Sequence, residues 1–319
     1  MRAHQLLRIG TSLGIVLIAS VLCAVDSHAQ VKIELPAVNA VVIGSSIPVS
    51  GTLVARTRNV GVTVNDVAAR LDLEHAGTKS DPFRWYAEVD APAGRVKLKA
   101  RSHSSTTGNG ADEGGASTVH VHFQPSPKVV ALTPSPASGV APLDVTLAVR
   151  TDPADEITHF ALDFQGDGSW DVTGESLPEE DSVFRFATPG IWFPVVRVTM
   201  RSGAVVTATS PIHVQSFGTV NAIVKEVWNG FGQSLSKRDI NGSLNWLASD
   251  GVRDKYRSRL TLIRDSLPQF AGGIRTIHPV WILDETAHYL MTRTENGRLK
   301  GYHVYFARDA SGLWKIVQF

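Results

Sequence analysis

The stretch LDFQGDGSWD, residues 162–171, places Asp163, Asp167 and Asp171 at every fourth position around Gly166 and Gly168. Aspartate and glycine at this density make either a tight turn or a loop of oxygen ligands for a hard cation. Counted from Asp163, the oxygen-bearing Gln165, Asp167, Ser169 and Asp171 follow at the alternate positions of an EF-hand-type calcium loop, with Gly168 in sixth place. The pattern then breaks. Its twelfth place is Gly174, where a calcium loop wants a bidentate glutamate, and Glu175 comes one residue late. The leading expectation is a turn of a β-domain whose aspartates bond the backbone. Weak calcium binding through Asp163, Gln165, Asp167, Ser169 and Asp171 is the alternative.

The sequence on either side reads as strands. In IWFPVVRV, residues 191–198, Trp192, Pro194, Val196 and Val198 share one face, and Phe193, Val195 and Arg197 the other. Pro194 lacks an N–H for a ladder, which predicts an edge strand or a strand start. Upstream, IPVSGTLV, VGVTVNDV, FRWYAEVD, RVKLKARS and STVHVHF alternate apolar and polar residues between Gly, Pro, Asn and Asp. Short strands at such intervals predict a β-sandwich over 30–123, with SHSSTTGNGADEGG as a hairpin loop. The prolines of QPSPKVVALTPSP then predict a semi-rigid linker at 124–130 and a second sandwich at 131–215.

From Phe217 the period changes. Val220, Ile223, Val224, Val227, Trp228, Phe231 and Leu235 recur at three and four, the apolar stripe of a helix. DINGSLNWL starts a second helix with Asp239 as its cap, and DGVRDKYRSRLTLIRDSLPQF carries helical periodicity expected to stop at Pro268. IRTIHPVWIL, AHYLMTRT, GYHVYFARD and LWKIVQF follow as strands, joined by turns at 295–297 and 310–312. Helices first and an antiparallel sheet last predict an α+β unit over 217–319.

Three family resemblances fit this order. LPAVNAVV, VSGT and VTVNDVAA, with Val49, Gly51, Val62, Val64 and Asn65, resemble a bacterial immunoglobulin-like module of the type found as domain B of glucodextranase. Residues 131–215 resemble the PKD domain, a small extracellular β-sandwich. Ala141, Pro142 and Leu143 match its entry strand, Asp163 and Phe164 its W-D-F-G-D-G core, and Pro189 and Gly190 a later turn. Leu162 stands in the family's tryptophan position, and Gln165 and Gly166 replace a single glycine. The ending Gly312, Trp314, Lys315 and Ile316, after Tyr305, Phe306 and Arg308, resembles the nuclear-transport-factor-2-like superfamily, whose helices pack into a curved sheet to form a cone. The fold implied is multidomain: two all-β immunoglobulin-like sandwiches followed by an α+β cone domain. The superfamily holds enzymes, ligand binders and structural dimers, so this likeness implies fold rather than activity.

The chain opens with Arg2 and Arg8, an apolar run to Val25, and the small residues Ser27 and Ala29. This is the form of an export signal, residues 1–29, cut after Ala29. Leu22 before Cys23 departs from the small residue that a lipoprotein signal wants there. Cys23 is the only cysteine, so a processed chain has neither disulfides nor thiolate chemistry. Lys and Arg number 31 against 30 Asp and Glu, which offers no electrostatic case for nucleic acid. The expected location is periplasmic, cell-surface or secreted.

No G-x-S-x-G elbow or phosphate loop lies beyond the leader. His120 and His122 share one strand face without a third ligand, which reads as a solvated face. The candidates for general acid or base chemistry are Asp284, His288, Tyr289 and His303 in the C-terminal unit. Strand parity puts His288 and Tyr289 on opposite faces without saying which lines the cone. Trp228, Trp246, Trp281 and Trp314 suggest either a small apolar ligand in the cone or a filled core. The function expected is an exported, non-catalytic modular protein with a sandwich stalk presenting a C-terminal domain to a cell-surface protein or polysaccharide. No cofactor is expected, and a homodimer through the C-terminal domain fits the superfamily. The rival expectation is a secreted or periplasmic hydrolase or isomerase with its site in the cone.

Overall fold

The computed structural model describes residues 30–104, 115–126, 130–151, 157–178, 180–274, 276–295 and 297–319. Residues 1–29, expected to be an export signal, lie outside the described residues, as do most of the Gly- and Ser-rich loop and part of the Pro-rich linker.

The first segment holds β1 (Gln30–Leu35), β2 (Val41–Gly44), β3 (Ile47–Val54), β4 (Val60–Val64), β5 (Val67–Ala68), β6 (Arg70–Asp72), β7 (Phe83–Val89), β8 (Gly94–Ser104) and β9 (Ala116–Pro125). They form two sheets, ordered β1-β3-β7-β6 and β2-β9-β8-β4-β5. Alternation along each strand supplies the core between them. Ile47, Val49 and Leu53 of β3 and Phe83 and Trp85 of β7 point inward, as do Val62, Leu98 and Val121 from the other sheet.

The second segment holds β10 (Val130–Ser135), β11 (Ser138–Val140), β12 (Leu143–Thr151), β13 (Ile157–Asp163), β14 (Val172–Gly174), β15 (Ser182–Phe186), β16 (Gly190–Trp192), β17 (Val195–Met200), β18 (Val205–Thr209) and β19 (Ile212–Gln215). Their sheets are ordered β10-β12-β15, β14-β13-β17-β18 and β11-β19-β16. Leu162 is buried here with Phe160, Phe186, Val196 and Val198. IWFPVVRV is not one strand, and Pro194 falls just before the start of β17, one of the two places expected for it. The first part of the stretch pairs with β19 and its second with β13 and β18, the chain changing sheets at Phe193 and Pro194. A residue without an N–H suits a place where one ladder ends and another begins.

In the third segment, α1 (Phe217–Ser236), α2 (Ile240–Leu244), α3 (Asp250–Leu262) and α4 (Leu267–Gly273) precede β20 (Ile277–Leu283), β21 (Thr286–Glu295), β22 (Arg298–Arg308) and β23 (Trp314–Gln318). The strands form an antiparallel meander. Among the described residues no helix is long and apolar enough to cross a membrane. The buried face of α1 is Val220, Ile223, Val224, Val227, Trp228, Phe231 and Leu235. Ser216, Asp239 and Ser249 cap α1, α2 and α3 by accepting the N–H of Thr219, Gly242 and Val252. Pro268 does not end a helix as expected. It lies in the first turn of α4, where its missing N–H leaves no bond unmade.

Each segment touches both others. Arg70 of β6 donates to the carbonyls of Ala137 at 2.9 Å and Pro211 at 2.6 Å. Asn59 brackets Trp314, accepting its N–H at 3.0 Å and donating to its carbonyl at 3.3 Å. Gly61 lets the turn before β23 press onto β4, since a Cβ there would fall 1.8 Å from the Ser311 carbonyl. Arg308 donates to the Gln215 side chain at 2.7 Å and lies 5.2 Å from the Trp314 ring. The apolar cores of the first and third segments join into one cluster. Burial lowers the Arg308 pKa to about 10. At the same junction His213 is held down to about 3 by burial first and by Arg308 and Arg70 next, so it is neutral where it stands.

Candidate functional site

The loop after β13 consumes its own carboxylates. Asp163 is 2% exposed. Its Oδ1 accepts the N–H groups of Gln165 at 3.1 Å, Gly166 at 2.7 Å and Asp167 at 3.4 Å, and its Oδ2 that of Gly168 at 2.7 Å. Asp171 accepts the Phe164 N–H at 2.7 Å, and Asp167 the Ser169 N–H at 2.8 Å. Gly166, at φ +71°, has room for no Cβ, which would lie 2.2 Å from the Phe193 carbonyl. The five positions proposed for calcium therefore meet as an Asx-type turn. Among the described residues no group of three or more His, Cys, Asp or Glu is arranged to hold a metal ion.

The four acid-base candidates of the third segment fall in three places. Tyr289 is fully buried on the inner face of the sheet, donating to Asn221 Oδ1 at 3.1 Å with its ring against Phe306. Burial pushes its phenol pKa up, so it keeps its proton. Asp284 occupies the β20–β21 turn at φ +52° and accepts a hydrogen bond from Ser138 of the second segment. His288 and His303 come together on the opposite face from Tyr289, Nε2 of one 2.8 Å from Nδ1 of the other. Their rings stack at 4.9 Å, with Tyr305 4.7 Å and Trp281 5.7 Å from His288. Burial first, and then the neighbouring imidazole, lower the His288 pKa. A proton relay through all four groups would have to cross the sheet.

The inner side of this sheet is filled. Trp228 packs against Phe231, Phe306 and Phe319, and its Nε1 donates to the Ile274 carbonyl at 2.6 Å. Phe319 stacks on Tyr256 at 4.4 Å. Trp314 is buried as well, and Trp246 lies tight against Gly230. A cleft of about 330 Å³ lies between α1 and α4, bordered by Trp228, Gly232, Pro268 and Ala271.

The outer side differs in kind. The strand register sends His278, Trp281 and Leu283 of β20 outward with Thr286, His288, Leu290, Thr292 and Thr294 of β21. Leu299, Gly301, His303, Tyr305 and Ala307 of β22 continue the face. None of these is Asp, Glu, Lys or Arg; on β23 the buried Lys315, opposite Ala307, shares the face and donates to the Asn245 carbonyl at 2.7 Å. Trp281 is 43% exposed, Leu283 56% and Leu299 74%. The charges of the same hairpin lie on the other side, where Glu295 pairs with Lys300 at 2.9 Å and Arg293 at 3.7 Å. His288 and His303, candidates for catalysis by residue type, are two members of this larger face. Its signal was present as the uncharged alternate residues of AHYLMTRT and LKGYHVYFA.

No family model matches the chain, and no curated protein matches it. Solved structures similar to it include the fibronectin(III)-like modules of CbhA from Clostridium thermocellum, at 18% identity, covering 58% of this chain and 94% of that one, with a TM-score of 0.21. Dimeric latent PorU from Porphyromonas gingivalis is similar at 8% identity, covering 60% of this chain and 20% of that one, with a TM-score of 0.29. The class is a mostly β chain of several sheets.

Proposed function

We propose that this is an exported, non-catalytic modular protein that self-associates through the outer face of its C-terminal sheet. The observation that carries the proposal is the absence of any charged residue from the outward positions of β20, β21 and β22, in a chain that is 19% charged. Interface cores are depleted in charge and enriched in aromatic residues, as this face is with Trp281, His288, His303 and Tyr305. A second copy suits it because two uncharged faces meet without like-charge repulsion. An isologous pairing can bring Trp281 and Leu283 at one side over Leu299 at the other.

The leader at 1–29 supports export to the periplasm, the cell surface or the medium. The finer assignment completes the proposal: a glucodextranase-domain-B-like module, a PKD-like module and a nuclear-transport-factor-2-like cone. The Asp163–Phe164 loop and the helix-then-sheet order from Phe217 support it. The sandwiches then hold the cone from two sides. The separation of Asp284, Tyr289 and the His288–His303 pair argues against a hydrolase or isomerase, and the aromatic filling behind the sheet argues against a small apolar ligand there.

Sedimentation velocity of the mature chain tests the proposal. A dimer is expected at micromolar concentration, with Trp281→Asp weakening it at least tenfold and leaving thermal melting unchanged. A monomer at tens of micromolar, or a dimer indifferent to that substitution, overturns it.

A further inference from the structure

The charge balance of the whole chain conceals a local excess. Between Lys237 and Asp265 there are seven Lys and Arg against four Asp and no Glu, where the chain as a whole has 31 against 30. Part of the excess surrounds a hollow of about 380 Å³ between the start of α2 and the end of α3, bordered by Arg238, Arg257, Thr261 and Arg264. Its one carboxylate is Asp239, whose Oδ1 already accepts the Gly242 N–H at 2.8 Å. Arg257 donates to the Asn241 side chain at 2.9 Å, and among the described residues none of the three arginines pairs with a carboxylate. All three are exposed.

Leu262 and Ile263 stand between Thr261 and Arg264 in the chain, where α3 ends. Leu262 is 87% exposed, more than any other large apolar side chain among the described residues, and Ile263 is 39% exposed. Arg259, one helical turn before Leu262, is exposed as well and lies 5.8 Å from the Tyr256 ring. The end of the helix is therefore an apolar tip with guanidinium groups around it. Asp254 and Asp265 are also exposed here, so the patch is cationic by excess rather than free of carboxylates.

We propose that the end of α3 docks on an anionic phospholipid bilayer, with Leu262 and Ile263 entering the acyl boundary while Arg238, Arg257, Arg259 and Arg264 meet lipid phosphates. Interfacial attachment combines apolar burial with attraction to anionic headgroups. Long arginine stems let the charge stay at phosphate depth beside an inserted apolar residue, and the planar guanidinium matches phosphate oxygens. A soluble polyanion would use the arginines and leave Leu262 in water. A protein partner would cover about 800 Å² on each side and would need a pocket shaped for the protruding tip, whereas a fluid bilayer needs none. The contact lies on the helices, away from the sheet face proposed for self-association.

Co-sedimentation of the mature full-length chain with vesicles tests the proposal, one set made of phosphatidylcholine alone and the other of phosphatidylcholine and phosphatidylglycerol in equal parts. Binding is expected only to the second set, and it should fall as salt is raised. The double substitution Arg238→Glu with Arg264→Glu, and the single substitution Leu262→Gln, should each weaken it about tenfold or more. Melting temperatures should stay in place, because all three side chains are exposed. No binding to the anionic vesicles, or binding that survives either variant, overturns the proposal. Survival of Leu262→Gln alone would assign the patch to a soluble polyanion instead.

Discussion

His288 and Tyr289 are neighbours in one strand, yet they belong to two different surfaces. On the inner side, Tyr289 has its hydroxyl matched to Asn221 and its ring against Phe306, in a space closed by aromatic side chains from α1, β22 and the C-terminus. On the outer side, His288 finds its partner in another side chain, His303, beneath the exposed Trp281. Both faces are rich in aromatic residues, and the charges of the β21–β22 hairpin lie on the inner one. What separates them is the layer of helices that covers only one. Residue type marked both as candidates for chemistry, but Tyr289 is a core residue, and His288 is buried at 8% exposure in a face whose Trp281, Leu283 and Leu299 are exposed.

The largest expected effect sharpens that contrast. Trp228→Ala should cost about 3–5 kcal/mol in urea unfolding, because it removes a ring packed on three others. Trp281→Ala should cost less than about 0.5 kcal/mol when the protein is monomeric. Equal losses would mean that the outer face is already covered.

A smaller effect extends the comparison to the Asp163 loop, where a buried polar group is satisfied by its own backbone as Tyr289 is by Asn221. Asp163→Asn should cost about 1–3 kcal/mol, since an amide cannot accept from all four N–H groups. Millimolar calcium should leave the melting temperature of the unaltered protein in place. A rise of several degrees would restore the metal reading of this loop.

The smallest effect is on the outer face itself. The His288 pKa is lowered, so the folded state prefers the neutral ring, while an unfolded imidazole takes its proton near 6.5. Stability from this source is full above that pH and is lost as pH falls below it. His303 and Tyr305 are the titratable groups that face His288, and neither brings a compensating negative charge at acid pH. Stability in urea unfolding should fall modestly as pH drops from 7.5 to 5.5, and His288→Gln should flatten the change. A stability indifferent to pH would mean that the fold does not disfavour the charged ring.

Much of the local structure was legible. The seven apolar residues whose spacing predicts a helix after Phe217 are the seven that α1 buries, because a period of 3.6 leaves little ambiguity over twenty residues. Asp239 caps the next helix as its position implies. The prolines were harder. Pro194 fits a period-two pattern yet marks a change of sheet, and Pro268 opens a helix that it was expected to close. In each case the missing N–H is compatible with two places in a fold, and long-range pairing chooses between them.

Sequence alone determined the succession of strand-rich and helical segments, the turn at Asp163 and the opposed faces of His288 and Tyr289. These follow from neighbours in the chain and from the periods of helix and strand. Only the tertiary structure decided which face of the last sheet is covered, because a period of two is unchanged when inside and outside are exchanged. It alone brought Arg308 to Gln215, and Phe193 to Tyr86. Those contacts join segments far apart in sequence, where no local periodicity carries information about the partner.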